Sequence, residues 1–160
     1  MDKVKVEGDF KTELPTVSCE KLPDNILILL KQAIINLSNP ARTDSEFSMY
    51  TFPALKALEG VIKYNLQKCN IQMPTTNFSM FDKVNGVYKL QTGHSARIGN
   101  AYTTKLENCY NHFFNNRHTL FHFGMLIAGT DTNTRLLKTK QEANDIIKAT
   151  LKVIDENYIA

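Results

Sequence analysis

The sequence predicts a mainly α-helical domain, a four-helix bundle with a small β-hairpin insertion between its second and third helices. Two observations carry that expectation. Four stretches repeat apolar residues at intervals of three and four, which puts them on one face of a helix. Between the second and third of these, from Asn70 to about residue 98, the periodicity stops and Thr, Asn and Gly dominate, with the dipeptide Asn85-Gly86 set between two short extended runs.

The first helix is read in DNILILLKQAIINLSNP, with Asp24 or Asn25 as its cap, apolar residues at 26, 29, 30, 33, 34 and 37, and Pro40 beyond its end. The second is TFPALKALEGVIKYNLQKC, where Leu55, Leu58, Ile62 and Leu66 form a stripe that Ala54, Val61 and Cys69 widen. Pro53 suits a first helical turn, where its missing N–H would have no intrahelical partner. Gly60 inside this helix costs about 1 kcal/mol relative to Ala, and its lack of a side chain permits close approach of another helix.

In the insertion, residues 70–98, FDKVNGVYKL predicts a hairpin with a tight turn. GHSARIG lacks the lysine and spacing of a phosphate-binding loop. The third helix runs through NAYTTKLENCYNHFFNNRH, with Tyr102, Leu106, Cys109 or Tyr110, and Phe113 on one side, ending between Asn116 and Gly124; Gly124 and Gly129 bracket a short connection. Leu136 and Leu137 suit a short strand pairing with the hairpin. The last helix, TKQEANDIIKATLKVIDENYI, aligns Ala143, Ile147, Leu151, Ile154 and Tyr158. Residues 1–23, with alternating charges and two prolines, read as a lead-in or linker, leaving 24–160 as the domain.

With 160 residues and 42% apolar side chains the chain can bury one core without staples. A net charge of +3, from nineteen basic and sixteen acidic residues, is a mild bias toward anionic partners and no signature of nucleic-acid binding by itself. Three isolated cysteines, at 19, 69 and 109, suit reduced thiols in a cytoplasmic protein better than disulfides or a zinc knuckle. No apolar run has the length of a membrane span, and no secretory signal pattern opens the chain.

The segment RHTLFHF, Arg117 to Phe123, concentrates the chemistry. On an ideal helix His118 and His122 share a face, whereas Arg117 and His122 diverge by about 140°. Three readings follow. The two histidines are structural, one facing the core and one the solvent. Or they bind zinc, which the missing HExxH acid and the isolated cysteines argue against, Glu107 being the nearest upstream acid. Or the segment cleaves RNA without a metal or other cofactor. In that chemistry an imidazole takes the proton of a ribose 2′-hydroxyl while a guanidinium stabilises charge building on the phosphate. For Arg117 and His122 to meet over one phosphate, the helix must bend or end here, or the second side chain must come from another subunit. On the second helix, Glu59 has two readings: half of a surface pair with Lys63, or an acid turned toward Arg117.

Arg117, His118, three variable residues and His122 match, in type and spacing, the signature of the HEPN superfamily of ribonucleases, and the chain resembles that family. FPALKALEGVIKY, YNHFFNNRHTLFHF and TRLLKTKQEANDIIKATLKVID further resemble the C-terminal part of RNase LS-type toxins, phage-defence endoribonucleases held inactive by a cognate antitoxin. The resemblance implies an HEPN-like bundle that cuts RNA, mRNA in particular, to 2′,3′-cyclic phosphate and 5′-hydroxyl ends without a metal. It also implies a homodimer and an antitoxin-contacting surface. Arg117 and His122 take the two catalytic positions, as phosphate binder and general base. His118 and Glu59 take assisting positions, His118 at the leaving oxygen or the substrate, and Glu59 beside the arginine. The competing functional reading is a catalytically silent module that binds an antitoxin or RNA, and behind it stands a plain helical structural protein.

Overall fold

The computed structural model describes residues 22–39, 46–73, 77–121 and 135–160, together with the backbone of two short strands between the last two of these stretches. The elements are α1 (Asp24–Ser38), α2 (Ser48–Lys68), β1 (Phe81–Val84), β2 (Val87–Leu90), α3 (Thr92–Ile98), α4 (Asn100–Phe121), β3 (Leu126–Ile127), β4 (Thr130–Asp131) and α5 (Lys140–Asn157). The mainly helical class and the hairpin insertion agree with the sequence, but the simple four-helix count does not. GHSARI, expected to be irregular, closes into the short α3, which makes five helices among the described residues. Its seven residues, about two turns with no buried side chain, lie against the start of α4, and Gly99 at φ 81° allows the chain to reverse between them.

α2 is the central helix, packed against α1, α4 and α5. Its stripe is buried as the periodicity requires, with Ala54, Leu55, Leu58, Val61, Ile62 and Leu66 out of solvent. At Gly60 a Cβ would stand 2.9 Å from Ile26 Cγ1, so the glycine is what lets α1 come this near. The helix starts earlier than expected, at Ser48, which puts Pro53 in its second turn. The hydrogen bond that proline forgoes is to the carbonyl of Met49, a residue that faces solvent.

Neither Asp24 nor Asn25 caps α1. Pro23 occupies the cap position and Asp24 the first turn, where its charge meets the positive end of the helix dipole. α5 has a full capping box between Thr139 and Glu142. Tyr102, expected in the α4 stripe, is exposed; the buried stripe is Leu106, Cys109, Tyr110 and Phe113, ending at Leu120. Tyr158 lies just past α5, with its ring stacked on Tyr64.

The chain end is held by Asn65, a buried side chain. Its amide donates to the Asn157 carbonyl at 3.0 Å and accepts from the Ile159 N–H at 3.1 Å. The hairpin turn is as read: Asn85 and Gly86 both have positive φ, 51° and 83°, as a type I′ turn demands, with Val84 opposite Val87. Leu136 and Leu137 form no strand with it. They lie in an irregular segment whose Leu137 carbonyl accepts from Phe47 N–H, because Leu137 is drawn into the core between α2 and α5 while Leu136 stays outside. β3 pairs with β4. The expected lead-in through residue 21, Cys19, Pro40, His122, Gly124 and Gly129 lie outside the described residues.

Candidate active site

The motif arginine and its neighbour emerge from two different faces of α4. Leu106, Tyr110, Phe113 and Arg117 follow one another at intervals of four, three and four, so the buried stripe of the helix runs straight into Arg117. Glu107, Asn111, Phe114 and His118 repeat the same spacing one position on, and this second face meets the hairpin. Arg117 is therefore half-buried and His118 exposed, though they are adjacent in sequence.

On the first face, the Arg117 guanidinium carbon lies 5.4 Å from the centre of the Phe113 ring. Phe113 meets Phe78 edge-on at 5.8 Å, and the Lys63 ammonium sits 6.0 Å above Phe78. Cation and ring face attract in such contacts, so aromatic side chains gather two positive groups on this flank. Lys63 also pairs with Glu59 at 2.7 Å, and the second Glu59 oxygen takes Lys56 at 3.0 Å. Of the two readings of Glu59, the Lys63 pair is present. Partial burial pushes the Glu59 carboxyl upward, but the hydrogen bonds and charges of Lys63 and Lys56 outweigh it and hold the group below its ordinary range.

On the second face, His118 stacks on Phe114 with ring centres 4.8 Å apart and planes 10° from parallel. Phe114 packs against Tyr88 of β2 at 4.5 Å, and the Lys83 ammonium stands 5.8 Å over the Tyr88 ring. The hairpin thus forms one wall beside the end of α4.

The last turn of α4 is anchored from below. Leu120 is buried with Phe47, Leu55, Leu137, Ala143 and Ile146, while Phe121 meets Phe52 edge-on. The Thr119 carbonyl accepts from the Arg135 N–H at 2.8 Å, which ties the strand of chain before α5 to this turn. Helical geometry continues through Phe121, so a bend that returned residue 122 toward Arg117 would have to follow that point. His122 itself is outside the described residues.

Sequence reasoning missed the supports of the second face. Glu107, Asn111 and Phe114 were visible as a stripe in register with His118, but polar residues on an exposed helix face give no sign of a docked hairpin until the hairpin is placed. His112 was also passed over. Its Nε2 lies 2.9 Å from the Thr150 hydroxyl on α5, and burial lowers its pKa, so it acts as a helix-to-helix link with a neutral ring. Among the described residues no group of three or more His, Cys, Asp or Glu side chains could hold a metal ion. Cys109, fully buried, has its thiol pushed up to about 12 by burial and has no nucleophilic character. No helix of the described residues is long and apolar enough to cross a membrane.

Residues 2–124 match the family described as RNase LS, bacterial toxin DBD domain. The chain belongs to this family. It is 29% identical over 154 residues to the mRNA endoribonuclease LsoA of Escherichia coli O157:H7, a match that covers 96% of this chain and 42% of LsoA. The fold agrees as well. In the crystal structure of Escherichia coli toxin LsoA in complex with T4 phage antitoxin Dmd, one chain superposes with a TM-score of 0.75 at 28% identity, covering 97% of this chain and 59% of that one. The chain therefore spans less than half the length of the LsoA sequence.

Proposed function

We propose that this RNase LS-family domain is a metal-independent endoribonuclease, the RNA-cutting part of a phage-defence toxin that a protein antitoxin restrains. The observation that carries the reading is the intact Arg117-His118-x-x-x-His122 pattern at the end of α4, with a guanidinium and an imidazole on adjacent faces of an anchored helical turn. Family membership and likeness to an mRNA endoribonuclease support it.

The chemistry needs a base, an acid and a fixed positive charge. His122 takes the proton from a ribose 2′-hydroxyl, the 2′-oxygen bonds to phosphorus, and the bond to the 5′-oxygen breaks. Arg117 holds the non-bridging oxygens as their charge grows, where two donors in a planar fork suit a phosphate better than a lysine would. His118 supplies the proton to the departing 5′-oxygen, which leaves a 2′,3′-cyclic phosphate and a 5′-hydroxyl. DNA, with no 2′-hydroxyl, binds without being cut. Because α4 stays helical through Phe121, the simplest way to bring a motif histidine to Arg117 is from a second copy, so the active form is a homodimer. Glu59 assists through the cationic flank it shares with Lys63.

The test is to incubate the purified chain with mRNA in excess chelator and to repeat the assay with Arg117→Ala and His122→Ala. Cleavage by the parent and none by either variant, with far-UV circular dichroism unchanged, is the expected outcome. Loss of helical signal in both variants would mark the pair as core residues. A second reading, an antitoxin- or RNA-binding module that is catalytically silent alone, is favoured by one fact: the chain spans 42% of LsoA. A folded dimer that binds RNA without cutting it would establish that reading instead.

A further inference from the structure

The edge of β2 that faces α4 is paired with side chains, where a sheet would offer another strand. The Asn111 amide accepts from the Tyr88 N–H and donates to the Tyr88 carbonyl, both at 2.8 Å. One turn earlier, Glu107 accepts from the Leu90 N–H at 3.0 Å and pairs with Lys89 at 2.8 Å. These bonds fix the height of Tyr88 along α4. Its ring then meets Tyr110 edge-on at 5.1 Å and Phe114 at 4.5 Å, and Phe114 stacks on His118.

We propose that the β1–β2 hairpin is a positioning device for the His118 imidazole, with Asn111, Tyr88 and Phe114 as positioning residues. The proposal rests on the ribonuclease reading above for its purpose, though not for its geometry. An exposed histidine on a helix has rotamer freedom that must be given up before it can protonate a leaving oxygen. Phe114, four residues back, offers a flat face, but a half-buried phenylalanine on one helix turns about its own bonds. Tyr88, packed on Phe114 with ring centres 4.5 Å apart, restricts that motion, and Asn111 stops Tyr88 from sliding. The hairpin does not need this row of rings merely to dock, since Phe81 is already buried and stacked on Tyr110 at 4.2 Å.

The test uses the full chain with carbon-13-labelled histidine, the His118 signal being assigned by its disappearance in His118→Ala. Stacking on Phe114 gives that signal an upfield ring-current displacement. Tyr88→Leu, which fills space without a ring, and Phe114→Leu are expected to lose it, whereas Tyr88→Phe keeps it. In the cleavage assay Tyr88→Leu lowers kcat about tenfold, part of the roughly 10²-fold that a 1 Å misplacement can cost, and leaves KM nearly unchanged. Tyr88→Phe restores the rate, and Tyr88→Leu has no further effect in a His118→Ala background. An unmoved His118 signal in folded Tyr88→Leu, or rate losses from Tyr88→Leu and His118→Ala that multiply, would overturn the proposal. If the parent chain does not cut RNA, the ribonuclease reading fails, and the histidine signal alone still decides whether the hairpin holds the ring.

Discussion

Truncating Leu120 to alanine separates the anchoring of the motif from its chemistry. The side chain is 6% exposed and packs among Phe47, Leu55, Leu137, Ala143 and Ile146, a cluster distinct from the main core. Removing three carbons forfeits about 2.4 kcal/mol of transfer free energy at about 0.8 kcal/mol each. A cavity term adds to this, but it is limited here because Phe121 and Tyr50, only partly buried, can settle into the space. The expected loss is about 3 kcal/mol. Urea unfolding followed by far-UV circular dichroism measures it as a lower midpoint at constant slope. Leu120→Met, which conserves volume, should cost under about 1.5 kcal/mol. RNA cleavage by Leu120→Ala should fall even at temperatures where the protein is fully folded, because the turn below Arg117 has lost its anchor. A loss below about 1 kcal/mol with full activity would refute the claim that this cluster fixes the end of α4.

At Gly60, alanine gains about 1 kcal/mol of helix propensity, but its Cβ would stand 2.9 and 3.0 Å from two carbons of the buried Ile26 side chain. Overpacking of this kind costs about 1–3 kcal/mol, so Gly60→Ala should lower the thermal midpoint, and Gly60→Ala with Ile26→Val should recover part of the loss. The pH dependence follows from His112, whose pKa burial lowers below 6.5. The unfolded chain then binds the proton that the folded one refuses, so this group's contribution is intact above pH 6.5 and is lost as the pH falls through the folded value. Urea midpoints measured from pH 8 down to pH 5 should decline more steeply in the parent than in His112→Gln.

The positions of the long helices were legible in the sequence because a buried stripe at helical spacing has few alternatives. Leu55 to Leu66 and Ala143 to Ile154 are buried where the pattern put them, and Asn85-Gly86 turns as that dipeptide must. Local rules were weaker where a longer-range contact outbid them. α2 extended back past Pro53, and Leu137 was drawn into the core in place of a strand. Of the candidate site, the sequence gives the residue types and spacing that define Arg117, His118 and His122, since those are one-dimensional facts. That Arg117 continues the core stripe while His118 faces the hairpin was implicit in the helical period, but what covers each face was not. Phe78 and Lys63 reach Arg117's flank, and Tyr88 reaches Phe114 beside His118, from elements distant along the chain. The Glu59 carboxylate takes Lys63, the i,i+4 partner legible along the helix, and Lys56 three residues before it, both within α2. Periodicity is a property of neighbours along one helix and can be read from the chain, whereas the partners of a helix face depend on where other elements come to rest, which only the folded structure decides.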